Sequence, residues 1–365
     1  MTTIKEVAAR VGVSPSTVSN VFLGKVPVRE RTKQRVLTAA RRLGYRPDGL
    51  AQALRRGRTR TLGLCVPFVT NPTIAAIVNG ASRAAREAGY AVTVCTIEND
   101  PKLQDTHLEI LRRERVAAVI TQPASSDPGP YLALRQAGTA LVFVDRHPEG
   151  VPADFLTPDY RTATGEAVRH LLETGRRRVA LVAGPRWIDS TRERVAGYKA
   201  AHAAAGVPVD DDLLLTSERR QGRTLQGDLA ELLRRPPDKR PDALIAGSAD
   251  VTLSALSSLL DMGVAIPEAV ALVGTGDLTF ARLAAPPLTM IEIDGEALGR
   301  RAVELALARI QETDEGSEPA PFKEELLSTR IALRASSAPA ALGHSQPTFG
   351  TAPKKRRRES FQQEQ

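Results

Sequence analysis

Apolar residues at the start of the chain recur with the period of an α-helix. Ile4, Val7, Ala8 and Val11 fall at i, i+3, i+4 and i+7, one continuous stripe. Thr3, three positions before Glu6, forms a capping box at the start, and Gly12 supplies the stop. Ser14 reads as the next N-cap, with Pro15 at the first helical position, where a missing N–H costs nothing. In this second helix Val18, Val21 and Phe22 form the apolar side, which leaves Pro15, Ser16, Ser19 and Asn20 outside, and Gly24 ends it. A third helix is expected from about Arg31 to Leu43, with Val36, Ala39, Ala40 and Leu43 inward. Helices this short do not persist alone in water. The pattern therefore predicts three of them sharing one small core, with the polar face of the second left over for something else.

From Thr61 the periodicity changes. "TLGLCVPF", "YAVTVCTI", "VAAVITQP" and "TALVFVD" are apolar, β-rich runs, and alanine-rich helical patterns such as 74–88 lie between them. The alternation restarts with "RRVALVAGP" (177–185), a helix near 191–205, "DALIAGS" (242–248), a helix near 250–262 and "AVALVGTGD" (269–277). Strand, helix, strand at these spacings predicts an α/β protein whose parallel sheets are covered on both faces. The repetition predicts two similar lobes joined by several crossings, with a ligand cleft at the carboxyl ends of the strands.

Charge sharpens this picture. The chain has 365 residues and a formal net charge of +8, unevenly spread. Residues 1–60 carry 14 Lys and Arg against three acids, whereas 61–350 are slightly acidic. A basic head with a helix-turn-helix pattern on a mildly acidic body points to a polyanion partner for the head alone. With 42% apolar residues, the chain can bury more than one core. It runs directly into a capped amphipathic helix, so no secretory leader is expected, and no apolar run approaches the ~20 residues that span a bilayer. Cys65 and Cys95 sit inside apolar runs and read as buried, inert thiols in a reducing cytoplasm. The five histidines share no ligand spacing, and "GTGDLT" lacks the rest of a phosphate-loop pattern. No catalysis, metal or cofactor is expected.

The helix-turn-helix "TIKEVAARVGVSPSTVSNV", the stretch "LGYRPDGLAQALRRGRT" and the body segments "GRRRVALVAGP", "RERVAGYKAA" and "PPLTMIEID" together resemble the LacI/GalR family of bacterial transcription regulators, from residue 2 to about 335. The resemblance implies a helix-turn-helix DNA-binding domain (1–46), a hinge helix and linker (47–60) and a two-lobed periplasmic-binding-protein-like body for effector binding and dimerisation (61–336); beyond it, an Ala, Pro, Ser and Gln-rich stretch with a basic run reads as a disordered basic tail (337–365). The resemblance further implies a cytoplasmic homodimer that binds a palindromic operator, with a small molecule in the cleft modulating affinity and repression as the commoner mode. It also implies residue roles. Pro15, Ser16 and Asn20 would meet base edges; Asn20 suits adenine, while Pro15 offers apolar contact to a thymine methyl or only starts the helix. Thr17, Ser19 and Arg31 would hold phosphates. Leu54 would wedge into the minor groove and Arg55 would enter it.

For the cleft, the resemblance implies Thr70, Asn71 and Thr73 after the first strand, Asp145 and Arg146 from "VFVDR", and Ser190 and Arg194 from "STRERVAGY". Trp187 would either stack on a ligand ring or pack between the lobes. Two positions depart from the family's sugar sensors: Ala249-Asp250 stands where Asn-Asp is frequent, and Gly276-Asp277 where two aspartates are. Losing an amide and a carboxylate predicts an effector other than a common hexose, or a weakly responsive body. The alternatives are a ligand-insensitive or activating regulator of the same family, or a transporter's solute-binding protein, which would lack the basic head.

Overall fold

The computed structural model describes residues 2–23, 26–45, 57–216, 225–276, 279–318 and 320–339. The segment 46–56, with Leu54 and Arg55, lies outside them, as do Asp277 and the tail from 340 onward.

The head is three helices, α1 (Ile4–Val11), α2 (Pro15–Leu23) and α3 (Glu30–Arg42). Thr3 caps α1 in a capping box with Glu6, and Gly12 closes it in the left-handed conformation at φ 71°. Ser14 Oγ accepts from the Thr17 amide at 3.1 Å, which starts α2 as its sequence requires. Val7, Ala8, Val11, Val18, Val36, Ala39 and Ala40 form the shared core, with Phe22 and Tyr45 at its edge. The Arg35 guanidinium donates to the Val11 carbonyl at 2.6 Å and ties α3 to the end of α1. Leu43 departs from expectation: α3 ends one residue earlier, and Leu43 is exposed, serving as the helix C-cap.

The body holds two six-stranded sheets. The first lobe contains β1 (Thr61–Val66), β2 (Ala91–Thr96), β3 (Ala118–Thr121), β4 (Ala140–Val144), β5 (Asp154–Pro158) and β11 (Glu324–Leu327), in the order β11-β5-β4-β3-β1-β2, all parallel. The second contains β6 (Val179–Val182), β7 (Leu214–Leu215), β8 (Ala243–Ala246), β9 (Ala271–Thr275), β10 (Thr289–Glu292) and β12 (Arg330–Ala332), in the order β12-β10-β9-β8-β6-β7, with β12 antiparallel at the edge. Seven of these strands follow the apolar runs of the sequence. The chain crosses between lobes at 158–160, 292–295 and 327–330.

The remaining helices are α4 (Pro72–Glu87), α5 (Pro101–Arg113), α6 (Gly129–Gln136), α7 (Tyr160–Glu173), α8 (Asp189–Ala204), α9 (Leu225–Leu233), α10 (Ala249–Asp261) and α11 (Gly295–Glu315). Helix α11 returns from the second lobe to cover the first sheet beside α4, and its buried residues join the same core as Leu62, Leu64 and Ile77. The two helices touch backbone to backbone: a Cβ on Gly299 would lie 2.0 Å from the Ile77 carbonyl oxygen, and one on Gly80 2.1 Å from that of Glu296. Residues 57–60 are bonded into the first lobe, with the Thr59 amide on the Arg115 carbonyl at 2.8 Å. Ser337, at the other edge of the body, is buried against Thr289 and His170.

Candidate functional site

On the head, α2 exposes Pro15 and Ser16 to solvent and Thr17 and Asn20 partly, and Arg31 is exposed on the first turn of α3. Ser16 and Thr17 hydroxyls lie 2.7 and 2.9 Å from Ser14 Oγ, so their orientations are set locally. Ser19 does not stand outside. It is only 9% exposed, because it adjoins Val18 and precedes Phe22 by three positions, on the flank that turns towards the bundle. Ser16 and Asn20 point away from the Val18 side and carry the free polar surface.

In the body, the carboxyl ends of β1, β4, β6, β8 and β9 face one another across the cleft and deliver most of the expected residues. Asn71 caps α4, its Oδ1 accepting from Thr73 N at 3.0 Å and Ile74 N at 3.3 Å. Its Nδ2 is thereby aimed across the cleft and donates to Asp250 Oδ2 at 2.8 Å. Two further bonds span the lobes: the His147 amide donates to Asp189 Oδ2 at 2.8 Å, and Ser190 Oγ donates to Asp145 Oδ2 at 3.4 Å. Thr70 is exposed at the rim.

Asp145 adopts φ 66° directly after β4, a conformation that costs a non-glycine residue and is held by its surroundings. Its Oδ1 is buried and accepts no hydrogen bond among the described residues. An acceptor in such a low-dielectric place is costly to leave unpaired, and the Tyr160 phenol lies close to the same carboxylate. Arg146 next to it donates to Asn99 Oδ1 and the Pro123 carbonyl, both at 2.8 Å, and its Nε is buried without a partner among the described residues. Burial lowers the Arg146 pKa from the ordinary arginine value, only partly opposed by Asp145.

Arg194 lies in the second turn of α8, 7% exposed, with its guanidinium carbon 3.6 Å from the centre of the Tyr160 ring. Burial pushes the Tyr160 phenol up, so it stays protonated and can donate. Trp187 stands at the mouth, 39% exposed, with the Arg146 guanidinium 5.8 Å from its ring centre. Beside it is a recess of about 340 Å³ lined by Pro123, Ser126, His147 and Arg192 among others.

The position before Asp277 explains one departure. Gly276 has φ 120°, and a Cβ there would sit 2.9 Å from Thr73 Oγ1 and 3.0 Å from Ala249 Cβ. The lobes approach too closely at this point for a side chain. Tyr160, Asn99 and Asp189 belong to the cleft although neither their spacing nor the family resemblance points to them. Tyr160 opens α7 directly after the capping Asp159, a strand-to-helix turn that could have drawn attention to it. The surface offers alternating charge, amide and aromatic contacts suited to holding a polar molecule. Among the described residues no cluster of His, Cys, Asp or Glu could hold a metal ion.

Comparison with known proteins gives matches over both parts. Residues 59–328 match the family model described as periplasmic binding proteins and sugar binding domain of the LacI family, and residues 3–48 match the model described as bacterial regulatory proteins, lacI family. The ribose operon repressor of Escherichia coli (strain K12) is 28% identical over 339 residues, covering 93% of this chain and 100% of the repressor. The HTH-type transcriptional repressor PurR of Aliivibrio fischeri (strain MJ11) is 29% identical over 316 residues, 86% of this chain and 93% of PurR. Among solved structures, the transcriptional regulator CelR in complex with cellobiose superposes with a TM-score of 0.66 at 31% identity, over 92% of this chain and all of CelR. The lac repressor dimer bound to operator and the anti-inducer ONPF superposes with a TM-score of 0.71 at 23% identity, over 92% of this chain and 99% of the repressor, a likeness of fold.

Proposed function

This chain belongs to the LacI family of bacterial regulatory proteins, and on that premise we propose that it is a cytoplasmic, homodimeric repressor whose grip on a near-palindromic operator changes when a polar small molecule enters the inter-lobe cleft. Each subunit lays α2 in a major groove, with half-sites related by the dimer two-fold. Asn20 and Ser16 meet base edges there, and Arg31 with the other head cations supplies phosphate contacts that position without specifying. Leu54 and Arg55 have their roles from the family resemblance alone.

The observation that carries the reading is the pairing, in one chain, of an exposed polar face on α2 with a cleft that keeps a buried carboxylate oxygen of Asp145 open. That oxygen, with the Tyr160 phenol close to the same carboxylate, can take a hydroxyl or ammonium donor. Arg194 and Tyr160 line the same place with donors of their own. With Gly276 and Ala249 where sugar sensors of the family frequently have larger polar groups, and Trp187 at the mouth, the effector is a hydroxylated molecule other than a free common hexose, such as a glycoside. Micromolar binding of a common hexose in a calorimetric titration would reverse that assignment.

The regulator reading is tested by selecting DNA from a random pool with the full-length protein. The expected product is a near-palindrome with a pyrimidine–purine step at its centre, where bending is cheap. Asn20→Ala is expected to cost about 1–3 kcal/mol on that sequence and to leave binding to unrelated DNA in place. No enrichment over competitor at moderate salt sinks the reading.

A ligand-insensitive regulator is the second reading, favoured by the Asn71–Asp250 and His147–Asp189 bonds that already join the lobes. In that event no metabolite shifts the affinity for the selected DNA.

A further inference from the structure

The only two cysteines of the chain are partners in the first sheet. Cys65 on β1 and Cys95 on β2 stand directly opposite in the parallel register, and neither is in a disulfide. Their side chains share a face: both belong to the core formed with Ile97, Leu111 and Phe143, while Leu62, Leu64 and Val66 of β1 face the other core. Placement inside separate apolar runs gave no sign that they would meet.

We infer that Cys65 and Cys95 form a reversible dithiol–disulfide site, oxidised by peroxide and reset by a thiol reductant. Adjacent strands run about 4.8 Å apart, inside the Cα separation a disulfide tolerates. Parallel side chains keep nearly that spacing at Cβ, somewhat wider than a relaxed disulfide, so closure pinches the two strands together and leaves a bond that is easily reduced. Cytosolic disulfides of this kind are transient and redox-sensing rather than structural.

The two sulfurs are not equivalent. β2 is the edge strand of its sheet, and Cys95 is 8% exposed, whereas Cys65 is sealed. The neighbouring Cys95 thiol and burial both push the Cys65 thiol up from its ordinary value. Cys95, on the edge strand and the less buried of the two, is thus the attacking thiol and Cys65 the resolving one. The Cys95 sulfur attacks a peroxide oxygen, the O–O bond breaks, and a sulfenic acid forms as the first water leaves. The Cys65 sulfur then attacks the sulfenic sulfur, the S–S bond forms and a second water leaves. Two thiols lose two hydrogens in total, and one hydrogen peroxide becomes two waters.

The place of the bond is also informative. β1 leads into the loop that carries Thr70 and Asn71, and β2 into Glu98 and Asn99, the latter holding Arg146. Oxidation ties together the roots of two loops that furnish the cleft.

The test treats the full-length native protein with dilute hydrogen peroxide and reads its intact mass. The expected result is a fall of about 2 Da with loss of both titratable thiols, restored by dithiothreitol. In Cys65→Ala the reaction stops at a sulfenic acid on Cys95 that a dimedone probe traps, and in Cys95→Ala loss of the remaining thiol is about tenfold slower or more. A wild-type chain that only gains oxygen, forms disulfide-linked dimers on a non-reducing gel, or keeps both thiols while its methionines oxidise overturns the inference. The wild-type mass alone decides, so a variant that fails to fold does not obscure the outcome.

Discussion

Individual residues in this protein are set by what surrounds them as much as by their chemistry. Ser19 has the same side chain as Ser16, yet one is buried on the bundle flank and the other faces solvent. Two histidines of the second lobe show the same dependence. His202 is buried against Tyr198 with ring centres 4.4 Å apart, and His170 bonds Ser337 through Nε2. Burial lowers both pKa values below the ordinary 6.5. The unfolded chain therefore takes up protons near 6.5 that the folded protein still refuses, and stability falls as pH drops from there towards the folded-state values. Above 6.5 these groups contribute no slope. A series of thermal unfolding midpoints from pH 8 to pH 5 should bend downward below about 6.5, and His202→Phe should flatten the bend. A profile unchanged by that substitution would remove His202 from the account.

At the level of elements, caps and close approaches do most of the positioning. Ser14, Asn71, Asp100, Ser248 and Asp294 each cap a helix with a side-chain oxygen, and all but the first lie in the body at a turn where the chain enters a helix. Asn71 does two things at once, since its cap fixes the direction in which its amide nitrogen reaches Asp250. The α4–α11 crossing depends on glycine for want of space rather than for an unusual φ. Gly299→Ala puts a methyl 2.0 Å from a carbonyl oxygen, so one helix must shift. The expected loss is about 1–3 kcal/mol or more by urea unfolding, and a loss below about 0.5 kcal/mol would mean that the crossing is slack.

At the scale of the whole molecule, side-chain bonds at the cleft join the two lobes in their present closure. Asn71–Asp250, His147–Asp189 and Ser190–Asp145 span a cleft whose lobes the chain joins at three crossings. Asp250→Ala removes one bond without touching a core. It should shift the ligand-free protein towards a more open form, read as a larger radius of gyration in solution scattering, and equal scattering curves would show that the bond has no such role. The linear order of residues was sufficient for the three-helix head, the capped entry to each of its first two helices, the seven apolar strands and the division into basic head and acidic body. Those features follow from periodicity and local capping, which act within a few residues. It was not sufficient for β11 and β12, short strands of mixed polarity that earn their place by pairing with β5 and β10. Nor did it reveal Tyr160 under Arg194, the open Asp145 oxygen or the facing cysteines. Each of these joins residues that are tens of positions apart or more, and only the packing of the sheets and the crossings between lobes sets which of them meet.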